Sequence, residues 1–194
     1  MGTALVLSAP SGRARLAAAI YAVSVAALFA SSALYHRVQW RSPTARVWMR
    51  RLDHSMIFVL IAGTYTPFGM LALRGALASA LLIAVWAGAA SGIVLTLAWI
   101  DAPDWLIALL YVLLGWVGAV AFPTVIATLG AVPVALVAAG GLLYTAGAVV
   151  YARKRPNPVA AVFGYHEVFH VLVIAAAALQ YAAIAFFVLP GAPA

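Results

Sequence analysis

The sequence predicts an all-α, polytopic transmembrane helix bundle. Of its 194 residues, 67% are hydrophobic and only 8% are charged, and the mean hydropathy is +1.11. Soluble domains are roughly 45–50% apolar and about 25% charged. The apolar residues gather into runs long enough to cross a bilayer, which takes about 20 residues. Most basic residues sit in short stretches between those runs, where they set orientation. No soluble stretch is long enough for a second core, so residues 1–194 read as one integral membrane domain.

Six full spans are expected. The first is 16–35 and the second 52–73, with Pro67 near its far end. The third is 76–100, rich in Gly and Ala, and the fourth is 105–128, with a kink expected at Pro123. The fifth is 132–151 and the sixth 165–189. Residues 1–10 form an apolar stub too short to cross, and their order relative to Arg13 and Arg15 is wrong for a signal peptide. Gly88, Gly92, Gly140 and Gly141 suit close helix contacts. The tail Pro190–Ala194 is expected to fray.

The loop after span one carries Arg37, Arg41, Arg46, Arg50 and Arg51, and the loop after span five carries Arg153, Lys154 and Arg155. With six spans these loops share one side, leaving Arg13, Arg15 and Arg74 on the other. The positive-inside rule makes the richer side cytoplasmic. Asp101 and Asp104 also fall there, but acidic residues contribute little to orientation. The net charge of +7 therefore has a topological reading, and no nucleic-acid partner is expected. The arginine-rich loop could bind anionic headgroups, but ordinary orientation bias suffices to explain it. The absence of cysteine excludes disulfides and thiolate metal sites.

This topology brings polar residues to one depth, just inside the cytoplasmic boundary. His36 ends span one, Asp53 and His54 begin span two, and His166 and His170 begin span six. An i, i+4 histidine pair points both rings from one helix face. Three histidines plus water form a catalytic zinc arrangement, and a nearby carboxylate can orient or deprotonate that water. A lone histidine at a helix end is more often interfacial, and an aspartate in a first turn is favoured by the helix dipole alone. Ser32 lies one turn before His36 and serves either the site or helix packing. Thr64, Tyr65 and Thr66 either supply a pocket hydroxyl or bond back to carbonyls freed by Pro67. The string His166-Glu167-x-x-His170 also matches a zinc-protease box, but that reading leaves His36 and Asp53 without a role. A haem site is disfavoured, because one helix face cannot approach both sides of a haem.

Several motifs occur in an order that resembles the hemolysin III family, which is grouped with the progestin and adiponectin receptors. They are Ser32-Ala-Leu-Tyr-His36, Arg51-Leu-Asp-His-Ser55, Ile61-Ala-Gly-Thr-Tyr-Thr-Pro67 and His166-x-x-x-His170. Leu114-Gly-Trp116 and Gly140-Gly-Leu-Leu-Tyr-Thr145 support them. The resemblance implies a seven-helix bundle in the bacterial inner membrane, with zinc near the cytoplasmic face. It implies His36, His166 and His170 as zinc ligands, Asp53 holding a zinc-bound water, and Ser32 supporting the site. Residues 1–10 resemble only the tail of the family's first helix, so either the true start lies upstream or that helix is truncated here.

The leading functional expectation is a zinc-dependent hydrolase of lipid amides or esters, with membrane lipids as partners and substrate. The alternative is a non-enzymatic, receptor-like or cytolytic membrane protein in which zinc only staples helices. Transport is weaker, because mid-membrane charges are lacking.

Overall fold

A computed structural model describes residues 2–99, 101–159 and 161–192. Six helices among them are long and apolar enough to cross a membrane, as expected. The described residues divide into two compact units, one ending near Asp101 and the other running from Ala102 to Gly191.

The first unit holds α1 (Gly2–Leu7), α2 (Gly12–Arg37), α3 (Pro43–Pro67) and α4 (Gly75–Ala98). The six residues of α1 lie against α2, with Gly2 close to Ala22 and Leu5 buried. The side chain of Ser11 caps α2, and that of Ser42 caps α3. Both hydroxyls accept backbone N–H groups that the first turn leaves unpaired. Small residues bring α2, α3 and α4 close. A methyl at Gly63 would overlap Ser24 Oγ, and one at Gly92 would overlap the buried Phe58 ring. The Trp86 indole N–H on α4 donates to Thr66 Oγ1 on α3 at 3.2 Å.

The start of α3 corrects the expected boundary. The helix begins at Pro43 rather than near residue 52, so Arg46, Arg50 and Arg51 lie on helix and not in a loop. A serine cap followed by proline in the first turn starts a helix whatever the hydropathy. Apolar runs mark the thickness of lipid, and α3 outruns it. In consequence Asp53 is not a first-turn residue but lies more than two turns inside. Beyond Pro67 the winding widens into a π-helix, Phe68–Ala72, closed by Leu73 N–H donating to the Phe68 carbonyl at 3.0 Å. Thr64 and Thr66 donate to the carbonyls of Leu60 and Ala62, one turn back, rather than to the Gly63 carbonyl that Pro67 leaves open.

The second unit holds α5 (Asp104–Trp116), a 3₁₀ stretch (Val117–Ala121), α6 (Phe122–Leu129), α7 (Ala131–Arg153) and α8 (Tyr165–Ala183), which continues as a π-helix over Ile184–Val188. The kink expected at Pro123 is the 3₁₀ stretch just before it. The proline ring cannot sit over an α-helical carbonyl four residues back. Gly130, at φ 86°, joins α6 to α7 in a conformation that suits glycine. Trp116 Nε1 donates to Thr145 Oγ1 at 2.9 Å, linking α5 to α7. Gln180 Nε2 donates to the Val137 carbonyl at 3.3 Å, linking α8 to α7 where Gly140 leaves room for the amide.

The loop between α7 and α8 is tied by side chains. Lys154 ends α7 at φ 53°, and its ammonium lies 3.0 Å from Asp104 Oδ2. Asn157 accepts from Tyr165 N–H at 2.8 Å and donates to the Lys154 carbonyl at 3.2 Å. Ile100, the expected end of the third span, and Pro193 and Ala194 of the expected frayed tail lie outside the described residues.

Candidate metal centre

The first unit brings three of the expected site residues together. Ser32 and His36 are one turn apart on α2, so they share a face. Asp53 reaches them from α3. Its side chain is buried, and it accepts a hydrogen bond from the Ser32 hydroxyl. His36 Nε2 lies 3.8 Å from Asp53 Oδ2. At that separation the two groups are neighbours but not hydrogen-bonded. The edge of the Tyr35 ring, 4.6 Å away between centroids, packs on the same imidazole. His54, the next residue on α3, is half-buried.

The second unit presents the histidine pair. His166 and His170 lie in the first two turns of α8, and their ring centroids are 4.7 Å apart. Aromatic rings flank them. Tyr151, near the end of α7, lies 5.8 Å from His166 and 5.2 Å from Phe169. Tyr165 meets His166 edge-on at 6.1 Å. Sequence reasoning did not single out Tyr151. Its signal lay in the antiparallel pairing of α7 with α8 across a short loop, which sets the end of one helix beside the start of the other.

Glu167 has a structural task. Its Oε2 accepts the Gly164 N–H at 2.9 Å, pairing an N–H at the start of α8 that the helix leaves open. A capping glutamate is turned back along the helix, which argues against the zinc-protease reading of this string.

The chemistry of these groups fits zinc. The donors are imidazoles, two of them on one helix face and one beside a buried carboxylate. Imidazole nitrogen suits this borderline metal.

The motifs that lie away from the histidines also have partners. Trp116 and Thr145, from two separate sequence motifs, are the donor and acceptor of one hydrogen bond. Gly140, from the same run as Thr145, is the residue that Gln180 packs over.

Comparison with known proteins gives a consistent picture. A family model described as Haemolysin-III related matches residues 2–181. The chain is 34% identical to Hemolysin-3 of Bacillus cereus over 174 residues, covering 89% of this chain and 75% of that protein. It is 32% identical to the Hemolysin-3 homolog of Bacillus subtilis (strain 168), covering 87% of this chain and 75% of the relative. Similarity extends to the human monocyte to macrophage differentiation factor, at 28% identity over 88% of this chain and 69% of that protein.

Proposed function

We propose, from the premise that the chain belongs to the haemolysin-III-related family, that it is a zinc-dependent membrane hydrolase acting on a lipid amide or ester. His36, His166 and His170 hold the metal, Asp53 acts as proton acceptor, and Ser32 positions Asp53. When bound, zinc supplies Lewis acidity that polarises a carbonyl and eases ionisation of water.

The observation that carries this reading is the line Ser32–Asp53–His36. A carboxylate is buried in an apolar helix pair, held by a hydroxyl on one side and set beside an imidazole on the other. Burying a carboxylate inside a membrane span is costly, and such groups tend to mark function. The Ser32 hydroxyl fixes the orientation of Asp53, so the remaining lone pairs point predictably. Asp53 can then take a proton from water attacking the lipid carbonyl and return it to the leaving amine or alcohol. The apolar surroundings suit a substrate with acyl chains, reached from within the bilayer. By the positive-inside reading the site faces the cytoplasm.

Purified protein should contain about one zinc per chain. His36→Ala and His170→Ala should each lose both the metal and lipid amidase or esterase activity. Loss of metal from only one of the two variants would break the shared site. Absence of zinc from the wild type would end the proposal.

The name of the bacterial relatives, Hemolysin-3, favours a second reading, in which the protein perturbs membranes and zinc only braces helices. Removing the metal would then lower thermal stability with no turnover to lose.

A further inference from the structure

The basic segment between α2 and α3 has a specific architecture. Its loop, residues 38–42, is tied back to α2 by the Trp40 indole N–H, which donates to the Leu34 carbonyl at 3.3 Å. From Pro43 to about residue 52, α3 projects beyond its apolar stretch, a length of about 14 Å at 1.5 Å per residue. That projection mixes exposed apolar and basic side chains. Trp48 is 54% exposed, Val47 and Leu52 are exposed beside it, and the Arg51 guanidinium sits 4.7 Å from the Trp48 ring centroid.

The arginines of this segment have separate fates. Arg50 lies 3.8 Å from Asp101, and Arg51 is stacked on Trp48. Arg37, Arg41 and Arg46 are exposed and form no ion pair among the described residues. They form a collar of uncompensated positive charge around tryptophans that suit the membrane–water boundary.

We propose that this collar is a binding surface for anionic phospholipid headgroups, with Arg41 and Arg46 contacting the phosphate and Trp48 resting in the adjoining acyl layer. Orientation bias requires only that basic residues lie near a span end. It does not require a tied-back loop, a helix extended through the headgroup layer, or an indole exposed beside the guanidinium groups. Those features match interfacial segments, in which an apolar side dips into lipid while the charged side meets the headgroups. The surface is independent of zinc and of hydrolysis.

The test uses the full chain in neutral detergent, titrated with phosphatidylglycerol or phosphatidylcholine. Bound lipid is counted by native mass spectrometry and thermal unfolding is followed in parallel. Phosphatidylglycerol should bind in preference and raise the unfolding midpoint more. Each arginine near an anionic headgroup contributes about fivefold in affinity, so R41Q/R46Q should bind phosphatidylglycerol roughly 25-fold more weakly. Should the double variant fail to fold, R46Q alone should show about a fivefold loss. Equal binding of the two lipids, or wild-type affinity in the arginine variants, would overturn the proposal. So would equal stabilisation by soluble glycerol phosphate, which would make this a free-anion site rather than a membrane surface.

Discussion

Asp53 stands between Ser32, which donates a hydrogen bond to its carboxylate, and His36, whose Nε2 lies 3.8 Å away. Asp53→Asn keeps the shape and removes the charge. If Asp53 is the proton acceptor, turnover of a lipid amide should fall by about 10²–10⁴ while zinc content stays near one per chain. Measured zinc and turnover together separate the two functional readings. Retained turnover would make Asp53 a structural residue.

At Gly92 of α4 a methyl would overlap the buried Phe58 ring of α3. Gly92→Ala should therefore cost about 1–3 kcal/mol by overpacking, read as a lower thermal midpoint in detergent. Gly115 has open space around its Cβ direction. Gly115→Ala should be neutral or stabilising by up to about 1 kcal/mol.

Gln180 is buried in α8, and while its Nε2 reaches the Val137 carbonyl, its Oε1 has no hydrogen-bond partner. An unpaired buried acceptor offsets what the paired donor contributes. Gln180→Leu should thus change stability by less than about 1 kcal/mol. Gln180→Ala opens a cavity against Gly140 and should cost more. Thermal unfolding of the two variants side by side decides it.

Lys154 has its pKa raised above the usual lysine value by the hydrogen bond to Asp104 and its negative charge. A group whose folded pKa is raised stabilises fully below its unfolded pKa and loses that contribution as pH climbs through the folded value. The pair should therefore be insensitive to pH near neutrality and weaken only above about 10.4. Asp104→Asn should remove that alkaline component from the unfolding profile. Because the lysine is solvent-exposed, the effect should be small and should shrink with added salt.

The six spans were legible because a lipid phase requires long, uninterrupted apolar runs. The start of α3 was not, because hydropathy reports contact with lipid, whereas Ser42 and Pro43 report where the helix begins. The His166 and His170 pair followed from i, i+4 spacing alone, and Ser32 with His36 from the same rule on α2. That Asp53 meets Ser32 depends on the register between α2 and α3, which Gly63 and Ser24 set by close contact. No single-helix pattern encodes that register. Tyr151 and Gln180 were missed for a related reason: each acquires its role only from the neighbouring helix.

The two indole-to-threonine hydrogen bonds, Trp86 to Thr66 and Trp116 to Thr145, fall one in each compact unit. Each unit thus carries its own optical reporter. Indole emission responds to the loss of such a bond, and replacing the other four tryptophans with phenylalanine would isolate the two signals. With either remaining indole then replaced in turn, a melting curve would show whether the two halves come apart in one event or in succession.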